Sequence, residues 1–391
     1  MKDNYRRFFS KNNLIFNSGM VFSAGFIGAL FLFASNLMLS RVFGPEAFGN
    51  YKTIIPLFMF VAALVDFGAM PTLTKYIAEF VARKETGKIN NLIWFFLKVK
   101  GLSIVSVVMV IYAARDTFAQ MFLGDAALSY LIIPGLMLSL FILFDITKPI
   151  VAGFQNFKLF SFSGFLTNAS IGAATVTMGY FFGVYYAILG WAVGYFVGNL
   201  PNIWFILKEK YLCKNALKPD IRQIFSKYSL PMHGIYLLNV SNLLIIPVLS
   251  LFFAQELIGY YAFAWIFYSG IMLIPIALAQ VLFPKVSEMH AQGKNTKSVL
   301  RGVLCAYSLV VFIGIGVIQL FSAHIIAFVS YDYISGLLIF KWLNCAGLLL
   351  GYLLIYAHYL SAKSEVRKAA WVFFVMNVAL FLVSFWVMQT V

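Results

Sequence analysis

Seven charged side chains stand within or at the ends of long apolar stretches of the sequence, where packing alone does not explain them. They are Arg41, Asp66, Lys98, Lys100, Asp145, Lys148 and Lys341. A charge inside a lipid-embedded stretch costs at least about 2.5–3.5 kcal/mol on insertion scales. A chain keeps such a residue for a partner, a ligand or a proton, so these seven are the candidate functional residues.

The spacing of the first-half charges limits how they can be used. Asp66 needs a cation or a proton, so a structural pairing with a lysine and a transport role are both open. Lys98 and Lys100 point about 200° apart on a helix and cannot both face one cavity. Asp145 and Lys148 are three residues apart, which predicts a same-face ion pair at a helix end.

The elements that carry these residues are predicted to be transmembrane helices. Of the 391 residues 62% are hydrophobic and only 11% are charged, whereas soluble domains carry about 25% charged residues. Apolar runs long enough to cross a bilayer recur throughout, and backbone groups in lipid must be satisfied within the helix. We predict an all-α polytopic membrane protein with eleven spans, at 18–43, 53–77, 91–114, 126–148, 160–183, 185–207, 228–253, 257–281, 299–322, 334–360 and 368–389.

The distribution of basic residues predicts the orientation. The net charge is +15, and most of the 29 Lys and Arg fall in alternate short connections between the spans. This positive-inside pattern places the N-terminus of the predicted inner (plasma) membrane protein in the cytoplasm. The pattern disfavours nucleic-acid binding, because a protein that binds nucleic acid needs its basic residues on a soluble face.

The three cysteines give no sign of a bound metal or a disulfide. Cys213, Cys305 and Cys345 are far apart, so neither a metal site nor a disulfide is expected, and no cofactor is indicated.

An internal repeat is the most informative feature of the chain. Residues 39–51, LSRVFGPEAFGNY, align with residues 249–261, LSLFFAQELIGYY, at a constant offset of 210. A second echo at an offset of 209 pairs Lys158 with Arg367, Phe165 with Phe374, and Asn168 with Asn377. With six spans in each repeat unit, the halves are predicted to be parallel repeats with a substrate path between them.

The repeat also predicts the domain organisation. We expect a six-span bundle at 1–209, a basic cytoplasmic linker at 210–224 and a five-span bundle at 225–391. The sixth span of the first half should recur near 394–416. The chain therefore either lacks a twelfth helix or is a shortened version.

Several segments resemble one known family. They are LSRVFGPEAFGNY, VDFGAMPTLTKYIAEF at 65–80, SLPM at 229–232 and AFAWIFYSGIMLIPIALAQVLFPKVSEM at 262–289. These resemble Wzx-type flippases, the polysaccharide-biosynthesis membrane proteins of the multidrug/oligosaccharidyl-lipid/polysaccharide exporter superfamily. The resemblance implies two helical bundles around a V-shaped central cavity. It also implies alternating-access flipping of polyprenyl-diphosphate-linked oligosaccharide for O-antigen, lipopolysaccharide, capsule or exopolysaccharide. Implied partners are membrane lipids, a polysaccharide polymerase and a chain-length regulator.

The resemblance gives the charged residues expected roles. Lysine is a competent partner for phosphate, so Lys98 or Lys100, together with Lys341, would bind the diphosphate at different depths. Arg41 would meet it near the external end or simply anchor its helix. Asp66 would be a counter-charge or a proton site, and the Asp145–Lys148 pair would assist it.

Two other functions compete with flipping. A drug or organic-cation antiporter of the same superfamily would favour carboxylates in its cavity, whereas this sequence places lysines in its spans. A membrane glycosyltransferase or polymerase would need a sizeable external loop with catalytic residues. No such loop, nucleotide-binding glycine motif or nucleophile constellation is seen, so the sequence predicts a transporter and not an enzyme.

Overall fold

A computed structural model describes residues 11–113, 132–208 and 220–391, and over these ranges the secondary structure is helical. Part of predicted span 126–148 and most of the predicted linker 210–224 lie outside the described residues. The helices are α1 Lys11–Leu64, α2 Ala69–Ala82, α3 Thr86–Ala113, α4 Ile132–Gly153, α5 Phe157–Phe182, α6 Val184–Lys208, α7 Ile221–Leu249, α8 Gln255–Ala291, α9 Lys297–Val329, α10 Leu337–Ala362 and α11 Val366–Gln389.

The helices confirm a polytopic membrane protein. Within the described ranges, nine helices are long and apolar enough to cross a membrane. The long helix α1 counts once, although it covers predicted span one and half of span two. The helix α6 is not among the nine, because its glycines, Asn199 and Pro201 make it less apolar. The figure of eleven crossings therefore stays a prediction.

Helix α1 continues through a segment that the sequence suggested was a loop. Residues 44–52 were expected to connect spans one and two, but they are helical apart from Gly44. Gly44 has φ +70°, a left-handed conformation that glycine adopts without strain. Pro45 then restarts the helix, and proline suits a first helical position because its missing N–H would have no partner there. One residue thus makes the whole break.

The described chain divides into two compact units. The first unit comprises Met1–Leu39 and Phe58–Leu237, and the second comprises Ser40–Leu57 and Leu238–Val391. The part of α1 on either side of Gly44 therefore belongs to the second unit. The predicted boundaries at 209 and 225, which rest on the repeat, stay a prediction.

In the first unit, α6 packs against α5 and α4, and α2 packs against α3 and α4. Gly190, Gly194 and Gly198 repeat every four residues along α6 and meet the backbone or side chains of α5 directly. Small residues at this spacing allow helices in lipid to approach closely, since no hydrophobic effect drives them together there. Close packing of α4, α5 and α6 holds the residues of α4 in fixed positions.

In the second unit, α10 is the central helix and packs against α8, α9 and α11. Tyr307 of α9 is fully buried and donates a hydrogen bond to the carbonyl of Leu348 on α10 at 2.8 Å. Tyr333, also buried, stacks on Phe263 of α8 with ring centroids 4.4 Å apart. Tyrosine buried in this way keeps its hydroxyl satisfied while its ring fills the core.

Two helices of the second unit cross at glycines that the internal repeat had paired. A Cβ on Gly49 would overlap the carbonyl oxygen of Gln255, and a Cβ on Gly259 would overlap that of Pro45. The offset of 210 relates Gly49 to Gly259 and Pro45 to Gln255, so the two contacts are equivalents of each other. The crossing is therefore reciprocal, and each helix needs a glycine at the point of approach.

The turn between α10 and α11 contains a small ion-pair network. This network predicts a pH-dependent contribution to stability. Glu365 accepts hydrogen bonds from Lys363 at 2.7 Å and Lys368 at 2.6 Å, and these lower the pKa of Glu365 from 4.5 to about 2. A lowered folded-state pKa gives stability that is complete above the unfolded value and is lost as the pH falls through the folded value. We expect Glu365→Gln to lower the unfolding temperature in detergent by a constant amount above about pH 5. The difference from wild type should shrink towards pH 2; a constant difference would contradict the assignment.

Candidate functional site

The candidate site is built around a break in the helical path of the first unit. Helix α1 ends at Leu64 and α2 begins at Ala69, so the predicted continuous span 53–77 is wrong at residues 65–68. Phe67 and Gly68 have φ of +53° and +69°, and a left-handed phenylalanine is strained. Irregular backbone at membrane depth is tolerated only where protein buries it or where it lines a cavity.

Helix α7 holds this break in place. The Ser229 hydroxyl donates to the carbonyl of Phe67 at 2.6 Å and accepts from the Thr72 hydroxyl at 3.0 Å. Gly68 packs so closely that a Cβ there would overlap the Ser229 carbonyl. Ser229 itself ends a π-helical turn, Phe225–Ser229, and such turns often occur at functional sites. The break is thus supported by a second irregular element.

Three charged side chains meet next to the break. Lys100 of α3 donates to Asp66 Oδ1 at 2.7 Å and to Asp145 Oδ2 of α4 at 3.3 Å. The side chains of Lys100, Asp66 and Asp145 are 1%, 2% and 17% exposed. We call these three residues the ionic cluster. When both carboxylates are ionised, one negative charge has no counter-ion within the ionic cluster.

One atom of the ionic cluster is unsatisfied. Asp66 Oδ2 is buried and has no hydrogen-bond partner among the described residues. Tyr236 of α7 lies close enough to Asp66 and Asp145 to interact electrostatically with both. A buried acceptor without a donor costs about 1–3 kcal/mol, so a proton or a ligand atom would be favoured at this oxygen.

A neutral polar group extends the site along α4 and α6, and the sequence reasoning missed it. The Thr147 hydroxyl donates to Asn199 Oδ1 at 2.7 Å, and the Asn199 amide donates to the carbonyls of Tyr195 and Leu140. Asn202 and Asn199 are both buried. Two asparagines three residues apart in an apolar helix share a face, and that spacing was the available signal.

The predicted Asp145–Lys148 pair is replaced by other contacts. Asp145 pairs with Lys100, and in the described ranges no ion pair within 4 Å joins it to Lys148. The Lys148 amine instead lies over the rings of Phe160 and Phe144, 4.7 and 5.3 Å from their centroids. Aromatic faces attract a cation and so partly replace a carboxylate partner.

The remaining candidate residues are not part of the ionic cluster. Lys98 is exposed while Lys100 is buried, as their spacing predicts. Arg41 is exposed and Lys341 is partly exposed, and both belong to the second unit. None of Arg41, Lys98 and Lys341 has an ion pair within 4 Å in the described part of the chain. Their charges remain available to an anion.

Comparison with known families identifies the protein class. Residues 14–290 match the family described as polysaccharide biosynthesis protein. The chain belongs to this family. The resemblance to polysaccharide-biosynthesis membrane proteins drawn from the sequence is therefore confirmed.

Curated relatives of this polysaccharide biosynthesis protein are distant. Stage V sporulation protein B of Bacillus subtilis is 22% identical over 201 residues, which are 50% of this chain and 39% of the relative. The match therefore spans about two fifths of that protein. Uncharacterized membrane protein MJ1375 of Methanocaldococcus jannaschii is 21% identical over 355 residues, covering 86% of this chain and 80% of the relative.

Two solved structures share the fold. An inward-facing multidrug resistance MATE family transporter of the MOP superfamily superposes with a TM-score of 0.71 at 15% identity, over 95% of this chain and 97% of that one. The lipid II flippase MurJ, in an inward closed conformation, gives 0.66 at 17% identity, over 96% and 87%. At these identities the likeness establishes the fold alone.

Proposed function

We propose that this protein flips a polyprenyl-diphosphate-linked oligosaccharide across an inner (plasma) membrane by alternating access, for surface polysaccharide biosynthesis. The observation that carries the proposal is the ionic cluster beside a helix break in a chain of the polysaccharide biosynthesis family. Three charges buried in a helical bundle are costly, and in membrane proteins such groups mark transport pathways. The fold shared with a lipid flippase supports the same function.

We propose a topology of six plus five spans in two parallel bundles around a V-shaped cavity, with the N-terminus cytoplasmic. The basic connections between spans support the orientation. The reciprocal crossing of Gly49 and Gly259 supports the repeat, because equivalent residues make equivalent contacts at the offset of 210.

The charged residues divide into two proposed roles. Arg41, Lys98 and Lys341 have no ion-pair partner in the described ranges, so they contact the diphosphate as it crosses. Lys100 is paired with Asp66 and Asp145, so its proposed role is to influence the charge of these two carboxylates and not to contact the diphosphate. The unsatisfied Asp66 oxygen binds a proton, which removes the excess negative charge and links the state of the ionic cluster to the return step. Lys148 lies over Phe160 and Phe144 and adds a positive charge in the neighbourhood of Asp145.

Export of organic cations is the second candidate function. It is favoured by one observation, the excess of carboxylate over lysine in the ionic cluster. A buried negative charge attracts a cation, whereas a diphosphate is repelled by it. The two functions therefore make opposite predictions about which substrate crosses the membrane.

Reconstitution into proteoliposomes tests the proposal. We expect the protein to make inner-leaflet polyprenyl-diphosphate oligosaccharide accessible to an external glycosidase. Lys341→Gln should slow this about tenfold, the effect of losing one charge-assisted hydrogen bond. Lys285→Gln is the matched control, because Lys285 is exposed and already paired with Glu288. Proton-driven uptake of an organic cation without any glycosidase access would contradict flipping and favour the antiporter.

A further inference from the structure

A cavity of about 590 Å³ lies in the second unit, where α9 begins, α10 ends and α11 begins. All three helices are membrane-span candidates, so their ends lie near the depth of lipid headgroups. Four cationic side chains line the cavity, Lys297, Arg301, Lys363 and Lys368, and we call it the basic cavity. It belongs neither to the ionic cluster nor to the proposed diphosphate contacts.

Part of the positive charge that lines the basic cavity is not neutralised by a carboxylate. Glu365, the carboxylate among the described lining residues, pairs with Lys363 and Lys368 at 2.7 and 2.6 Å. In the described ranges neither Lys297 nor Arg301 has an ion pair within 4 Å. The cavity therefore offers two free cations and two shared ones to an anionic group.

The walls of the basic cavity are held by hydrogen bonds. Tyr359 of α10 and Thr296, just before α9, share a bond of 2.9 Å. Tyr352 donates to Ser308 of α9 at 2.8 Å. Tyr359 is buried as well, so the α9–α10 wall keeps its shape in the absence of a ligand.

An apolar surface continues from the basic cavity along the helices. On α9 the lining residue Ser308 is followed one turn later by Phe312, which is 80% exposed. On α11 Lys368 is followed by Trp371, which is 67% exposed. A soluble anion would not contact these apolar surfaces, whereas the acyl chains of a lipid would pack against them.

We propose that the basic cavity binds the phosphate headgroup of an anionic phospholipid of the surrounding bilayer. Lys297 and Arg301 contact the phosphate, the Lys363–Glu365–Lys368 network borders it, and the acyl chains extend past Phe312 and Trp371. Basic pockets between transmembrane helices bind anionic headgroups in this way. The site goes beyond the proposed flipping function, because its ligand is a resident lipid and not the transported one.

Cys305 supplies a direct readout, since this exposed free thiol lines the basic cavity. The full chain with Cys213→Ser and Cys345→Ser leaves Cys305 as the one reactive thiol. We expect maleimide to label it more slowly in nanodiscs containing phosphatidylglycerol than in pure phosphatidylcholine. Arg301→Gln or Lys368→Gln should weaken this protection about fivefold each. Using the ratio between the two lipids removes any direct effect of a variant on the thiol.

Lys294→Gln is the matched control, because Lys294 is exposed and nearby but does not line the basic cavity. It should leave the protection unchanged. Equal protection in both lipids, or protection that survives Arg301→Gln and Lys368→Gln, would overturn the proposal. Equal protection by inorganic phosphate in phosphatidylcholine would also overturn it, since the ligand would then be a free anion. None of these readouts depends on oligosaccharide flipping.

Discussion

Replacing Lys100 with methionine is expected to destabilise the first unit by about 3–5 kcal/mol, the cost of removing one partner from a buried ion pair. Asp66 and Asp145 would be left without a cation in a site where Asp66 is almost fully buried. The unfolding temperature in detergent and the yield of folded protein measure the effect. Lys98→Met is the matched control, because Lys98 lies two residues away and is exposed; it should change stability by less than about 0.5 kcal/mol.

A double substitution separates a structural role of the ionic cluster from a role in transport. Lys100→Met combined with Asp66→Asn removes one charge of each sign and should recover part of the lost stability, because only Asp145 is then left without a cation. We expect surface polysaccharide to remain absent, because the variant has lost both the lysine and the carboxylate that binds the proton. Polysaccharide export at the wild-type level, with normal amounts of protein, would show that the cluster only supports the fold.

Gly49→Ala and Gly259→Ala are each expected to destabilise the second unit by about 1–3 kcal/mol, the usual cost of overpacking. Each new methyl group would meet a backbone carbonyl, which cannot turn away as a side chain can. The two variants should have similar effects, because the contacts at Gly49 and Gly259 are equivalents of each other. Thermal unfolding in detergent provides the measurement.

The control for these glycine variants is Gly316→Ala on α9. Nothing lies within 4 Å of a Cβ at Gly316, so alanine fits there. Alanine also has the higher helix propensity, by roughly 0.5–1 kcal/mol, and this variant should be neutral or slightly stabilised. If all three variants behaved alike, close approach would not be the reason for the glycines at 49 and 259.

The helices could be predicted from the sequence because a long run of apolar residues directly indicates a membrane-spanning helix. The difference in burial between Lys98 and Lys100 also followed from local geometry, since two residues along a helix turn the side chain to the opposite side, but this spacing did not say which lysine would be buried. Such features depend only on neighbours in the sequence. They need no knowledge of how the helices pack.

The ionic cluster could not be predicted as a unit, because its partners are distant in the sequence. Asp66 and Lys100 are 34 residues apart, and Asp145 and Lys100 are 45 apart. Local spacing favoured Lys148 as the partner of Asp145, but tertiary packing supplied Lys100 instead. The break beside Asp66 was missed for the same reason, since Ser229 of a remote helix satisfies its carbonyl at Phe67.

The reciprocal contact at Gly49 and Gly259 has the form of an interface between two copies of one protein. In a two-fold symmetric dimer, residue i of one subunit contacts residue j of the other, and j contacts i. Gly259 with Pro45 and Gly49 with Gln255 reproduce this rule inside a single chain. Each of the two helices therefore supplies both a glycine and a backbone carbonyl to the contact, so a bulkier residue at either glycine would push apart the same pair of helices.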